Sequence, residues 1–92
     1  MSDTVPLEVT VYSKPDCRQC VATERALERR GVAFTHADAL EPDNLAAIKS
    51  LGLSGAPVVI VRPAGAELGE EVFWASYRPD LITEHFGNLL VN

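Results

Sequence analysis

Apolar and polar residues alternate with period two over residues 7–12 (Leu-Glu-Val-Thr-Val-Tyr). That pattern predicts a half-buried strand. Residues 13–16 (Ser-Lys-Pro-Asp) read as a turn, because Pro15 cannot donate to a ladder yet precedes a helix comfortably. Residues 17–30 are helix formers and Gly31 is a natural left-handed stop. Cys20, Thr23 and Leu27 fall on the inward face of that helix, while Glu24, Arg25 and Glu28 mark a solvated one. Residues 32–38 predict a second strand that carries Phe34. Pro42 opens a second helix, with Leu45, Ile48 and Leu51 along one face and Gly52 as its stop. Residues 56–61 (Ala-Pro-Val-Val-Ile-Val) form an apolar, largely β-branched run, which suits a central strand buried on both faces. Pro63, Gly65 and Gly69 make residues 62–71 an exposed turn between antiparallel strands, and residues 72–74 are short enough for an edge strand. Pro79 takes the first position of a last helix, whose apolar face carries Leu81, Ile82, His85, Phe86, Leu89 and Leu90.

The predicted order is β-α-β-α-β-β-α. Strand–helix–strand implies a parallel pair with a right-handed crossover, and the later hairpin adds an antiparallel strand. The expectation is an α/β protein with a four-stranded mixed sheet and three helices, in the order of a thioredoxin-like fold. Ninety-two residues make one domain, 1–92, with a polar start over 1–6 that frays.

Net charge is −5 and no basic run occurs, which argues against nucleic acid or an anionic membrane as partner. The first residues have neither a basic n-region nor a long apolar stretch, and no segment reaches the ~18 apolar residues of a membrane span. A cytoplasmic monomer is the expectation. Two cysteines are too few for a disulfide scaffold.

Those two cysteines, Cys17 and Cys20, lie three apart at the join between a predicted strand and a predicted helix. A helix N-terminus carries unpaired N–H groups and partial positive charge, so it favours a thiolate over a thiol. Only the thiolate attacks a disulfide. Cys17 is therefore the candidate attacking thiol. Cys20, one turn on and facing inward, is the candidate resolving thiol that closes the ring. Lys14 and Arg18 favour the Cys17 thiolate and Asp16 opposes it. Half of a zinc site is the competing reading. It lacks a second pair of ligands, since His36 and His85 are forty-nine residues apart.

In a thioredoxin-like fold the proline before the central strand is cis and lies beside the cysteines. Ala56-Pro57 stands there, and would offer Ala56 backbone groups to an extended partner segment. Trp74 and Arg78 are candidates to brace the neighbouring loop, with core filling the alternative for Trp74 and a solvated position the alternative for Arg78. His85 reads as a partly buried residue of the last helix.

The chain resembles the NrdH-type redoxins, small glutaredoxin-like proteins. The resemblance rests on Val9-Thr10-Val11-Tyr12-Ser13-Lys14-Pro15, on Gln19-Cys20, on Ala56-Pro57-Val58-Val59, and on Trp74-Ala75-Ser76-Tyr77-Arg78-Pro79-Asp80. The last segment is the most specific and is similar to a Trp-Ser-Gly-Phe-Arg-Pro stretch of that family. It implies that Trp74, Tyr77 and Arg78 belong to the partner-binding loop and Gln19 to the redox motif. The resemblance further implies a dithiol–disulfide oxidoreductase with no bound cofactor. Electrons would come from NADPH through thioredoxin reductase and go to class Ib ribonucleotide reductase or other protein disulfides, in a bacterial cytosol. Three departures bear on partner choice. Arg18 replaces a small or apolar residue, the 62–71 turn is longer, and Ala75-Ser76-Tyr77 lacks a glycine, which predicts a differently shaped loop. A glutathione-dependent glutaredoxin is the alternative. It is disfavoured by the missing Pro-Tyr between the cysteines and the missing Gly-Gly later on. A redox sensor and a metal-binding adaptor rank below it.

Overall fold

Four strands form one sheet in the computed structural model, which describes residues 7–63 and 71–87. In chain order the elements are β1 (Leu7–Ser13), α1 (Arg18–Arg29), β2 (Thr35–Asp38), α2 (Pro42–Ser50), β3 (Val58–Pro63), β4 (Val72–Ala75) and α3 (Pro79–Phe86). The sheet order is β2-β1-β3-β4. β1 and β2 run parallel, whereas β3 is antiparallel to both β1 and β4. The mixed sheet and three helices follow from the periodicities read above. The residues expected to fray (1–6), most of the 62–71 turn, and Leu89 and Leu90 lie outside the described residues.

Period-two alternation divides the apolar residues between two faces. Val9, Val11, Val59, Val61 and Trp74 meet Ala26 and Leu27 of α1 and Ile82 of α3 on one face. Val58 meets Ala39 and Ile48 of α2 on the other, with Tyr12 and Ile60 beside them. β3, between β1 and β4, therefore has apolar packing on both sides. Trp74 is 4% exposed and its ring stacks on His85 of α3, centroids 5.6 Å apart and planes 11° from parallel. Its Nε1–H has no hydrogen-bond partner among the described residues.

The second strand is shorter than its sequence suggests. Residues 32–34 do not pair, because the chain there is finishing α1. Gly31 N–H donates to Glu28 O and Val32 N–H to Leu27 O, with Gly31 at φ 71°. Val32 and Phe34 instead pack from the side against the core of α1 and the sheet. Arg30 then ties α1 to α3. Its Nε donates to Gly87 O (2.8 Å), its NH1 to Ala26 O (3.0 Å) and its NH2 to Thr83 Oγ1 (3.3 Å). Among the described residues no helix is long and apolar enough to cross a membrane.

Candidate active site

β1 ends at Ser13 and the chain must turn sharply to start α1. Asp16 makes the turn at φ 56°, a left-handed conformation that aspartate tolerates better than most residues. Cys17 follows as the N-cap of α1, extended at φ −112° and ψ 104°. The helix thus begins one residue later than the 17–30 pattern implies, and that residue is the cysteine itself. Cys20 N–H donates to Cys17 Sγ at 3.1 Å, so the sulfur takes the place of a capping oxygen. The first turn of α1 holds no acidic residue to offset the positive end of the helix dipole.

Cys17 and Cys20 are joined as a disulfide, their Cα atoms 5.2 Å apart. Cys20 is 3% exposed, whereas Cys17 is only partly buried. One sulfur therefore faces solvent and the other the interior. Cys17 Sγ also lies 3.9 Å from the carbonyl oxygen of Ala56. The Ala56–Pro57 bond is cis. Pro57 O accepts from Ser76 N–H at 2.9 Å, and Tyr77 N–H donates to Gln19 Oε1 at 3.0 Å. The loops before α1, before β3 and before α3 thus converge on the sulfurs.

The bracing contacts differ from those expected. Gln19, between the two cysteines, reaches the loop before α3. Arg78 instead turns to Asp80 at the start of its own helix, through Nε at 3.1 Å and NH2 at 2.8 Å. The hydrogen bond and charge of Asp80 raise the Arg78 guanidinium further, and the same hydrogen bond holds the Asp80 carboxyl below its ordinary range. Trp74 lies in the core under α3, away from the loop surface. Ser76 stands where the related segment has glycine and adopts φ 76°. The backbone there is one that glycine would adopt freely.

A second surprise is Glu24, read as part of the solvated face. Ser13 Oγ donates to its Oε2 at 2.9 Å, and His36 Nε2 lies 3.5 Å from the same oxygen. Ser13 sits at the end of β1 and His36 on β2, so the sheet edge draws this carboxylate inward. A cavity of about 570 Å³ opens between them and the disulfide, lined by Lys14, Cys17, Arg18, Cys20, Glu24 and His36 among others. The i, i+4 spacing of Cys20 and Glu24 was visible in the sequence; nothing local signalled Ser13 and His36. Among the described residues no group of three His, Cys, Asp or Glu side chains is placed to hold a metal.

Residues 9–63 match the Glutaredoxin family. The chain is 37% identical over 78 residues to the glutaredoxin-like protein NrdH of Escherichia coli K12, covering 83% of this chain and 85% of that one. The chain belongs to the NrdH-type redoxins. The solved NrdH-redoxin from Escherichia coli, described as having a thioredoxin-like activity profile, superposes with a TM-score of 0.68 at 33% identity, over 84% of this chain and 92% of that one. Chloroplastic thioredoxin z superposes with a TM-score of 0.63 at 19% identity, over 88% of this chain and 75% of that one, a likeness of fold alone. As an NrdH-type redoxin the protein is a dithiol–disulfide oxidoreductase, and Cys17 and Cys20 are its redox pair. The family match spans both cysteines and the cis-proline but ends before the Trp74 segment.

Proposed function

We propose that this redoxin takes electrons from thioredoxin reductase, and so from NADPH, and delivers them to protein disulfides, with class Ib ribonucleotide reductase as the final acceptor. The observation that carries the reading is the seat of Cys17. Its sulfur caps the positive end of α1 and lies 3.9 Å from the Ala56 carbonyl beside the cis-proline. A backbone carbonyl next to a reactive sulfur, on a residue that is partly exposed, suits an extended partner segment, which pairs through its own main chain. The relatives named NrdH and the thioredoxin-like activity described for the Escherichia coli redoxin support the choice of reductant.

In the reduced protein the helix terminus favours the Cys17 thiolate. That thiolate attacks a disulfide sulfur of the partner; one partner sulfur leaves with the electron pair and the other stays bonded to Cys17. Cys20 then loses its proton and attacks Cys17 Sγ. The second partner sulfur leaves, and the Cys17–Cys20 disulfide is restored. Lys14 and Arg18 border the same cavity and add positive charge near the attacking thiolate. Ala56 and Tyr77, with Arg78 at the start of α3, form the surface that a partner would cross; Pro57 is buried beneath it, and Gln19 fixes that surface to α1. Trp74 supports it from below. No bound cofactor is needed, since the electrons travel through the two sulfurs. A monomer in the bacterial cytosol is the setting this reading requires.

The test is NADPH oxidation with a protein disulfide as substrate, supplied in parallel by thioredoxin reductase or by glutathione with glutathione reductase. Turnover with thioredoxin reductase alone is expected, and Cys17→Ser should reduce it to background. Turnover with glutathione alone would make the protein a glutathione-dependent glutaredoxin.

A further inference from the structure

The resolving step needs a base. Cys20 is 3% exposed, so its thiol is sheltered from bulk water at the moment it must become a thiolate. The strand beneath α1 offers that helix apolar Val9 and Val11, packed with Ala26 and Leu27. The cavity beside the disulfide offers something else. Glu24 lies one helical turn beyond Cys20, on the same side of α1, and both line that cavity. The Glu24 carboxylate is 23% exposed, fixed by Ser13 Oγ, and 3.5 Å from His36 Nε2, which is 60% exposed. A sheltered thiol, a half-sheltered carboxylate and a solvent-facing imidazole thus lie in sequence around one cavity.

We infer that Glu24 and His36 form a proton path for Cys20. When Cys20 attacks Cys17 Sγ of the mixed disulfide, the new bond is Cys20 Sγ–Cys17 Sγ and the broken one is Cys17 Sγ–partner sulfur. The electron pair of the broken bond leaves with the partner sulfur. The Cys20 proton passes to the Glu24 carboxylate and on to His36, which releases it to solvent. Ser13 is a positioning residue that holds the carboxylate toward the cavity. The other charged groups facing the cavity are Lys14, Asp16 and Arg18. Lys14 and Arg18 favour the thiolate products of both steps; Asp16 lies in the loop with Lys14 and opposes them. This inference rests on the proposed roles of Cys17 as attacking and Cys20 as resolving thiol, but on no particular protein partner.

The experiment is single-turnover reduction of dithiobis-nitrobenzoate by the reduced redoxin in stopped flow. The first coloured thiolate leaves when Cys17 attacks and the second when Cys20 resolves. The leaving group is a weakly basic thiolate, so the second phase isolates the loss of the Cys20 proton. Glu24→Gln and His36→Gln should each slow the second phase about tenfold relative to the first. Imidazole added to the buffer should restore the second-phase rate of His36→Gln, which a merely structural residue would not allow. His36 is exposed enough that its variant keeps the test open if Glu24→Gln unfolds. A second phase that keeps its wild-type ratio to the first, in either folded variant, overturns the proton path. Release of the first thiolate by Cys17→Ser would instead overturn the roles given to the two cysteines.

Discussion

The two ends of α1 are held in different ways. At the C-terminal end a side chain does the holding: Arg30 makes three hydrogen bonds, two of them to Thr83 and Gly87 at the end of α3. Below it Ala26 and Leu27 are buried against the sheet and α3. At the N-terminal end the ties are mostly to main chain: Cys20 N–H to the Cys17 sulfur, Tyr77 N–H to Gln19 Oε1, and the Ala56 carbonyl beside Cys17. The lesson concerns what each end is free to do. A clamp of long side chains fixes a helix but covers it. Backbone contacts fix the other end while leaving Cys17, Arg18 and the loop surface open to a partner.

Substitutions can break this contrast, and the largest effect belongs to the clamped end. Leu27 is fully buried, so Leu27→Ala should cost about 2–5 kcal/mol, read as a lower midpoint in chemical denaturation. Disulfide reduction per folded molecule should stay close to that of the parent, because the reactive end is anchored separately. A loss of rate that outstrips the loss of folded protein would mean that the two ends are coupled. Arg30→Ala should cost about 1–3 kcal/mol, since a charged donor group leaves three acceptors without it. Protection of α3 amides from hydrogen exchange should fall first, ahead of those in β1; uniform loss across both would count against a local clamp.

Changes at the open end should be smaller. Ser76 holds a left-handed backbone at φ 76°, so Ser76→Gly should stabilise the protein by about 1 kcal/mol. Lower stability in that variant would show that the serine side chain holds the loop. The smallest effect is that of Asp80. Its carboxyl is held below the ordinary range by the hydrogen bond from Arg78. A folded-state value below the unfolded one gives stability that is present above the unfolded value and lost as pH falls through the folded one. Acid titration of denaturation midpoints below about pH 4 should therefore be slightly steeper in the parent than in Asp80→Asn. Identical slopes would mean that the exposed pair contributes nothing to folding.

Much of this arrangement is legible in the sequence, and the limits are physical. Element order follows from local periodicity, and the β-branched run at Val58 gave its position in the sheet because burial on both faces leaves no polar alternation. The cysteine pair announces itself by its spacing and by the helix that follows. What escaped was the long-range polar contact. Gln19 meets Tyr77 across 58 residues of sequence and Arg30 meets Gly87 across 57. Such bonds have no period, since they depend on where two already folded segments happen to cross. Glu24 is hidden for the same reason: a charged residue at a helix surface looks solvated until a strand end brings a hydroxyl and an imidazole beside it. Arg78 is the opposite case: its place before a proline-started helix suggests a brace for the loop, and Asp80, two residues away, takes its guanidinium.

The stack of Trp74 on His85 gives the protein an optical gauge of its own. Trp74 is the chain's one tryptophan, so its indole emission comes from a single place, where β4 meets α3. It pairs in register with Val59, two residues beyond Pro57, while its ring lies against the helix that Arg30 clamps. A change in emission colour therefore reports the seating of α3 on the sheet, and it does so without a label and without consuming the sulfurs.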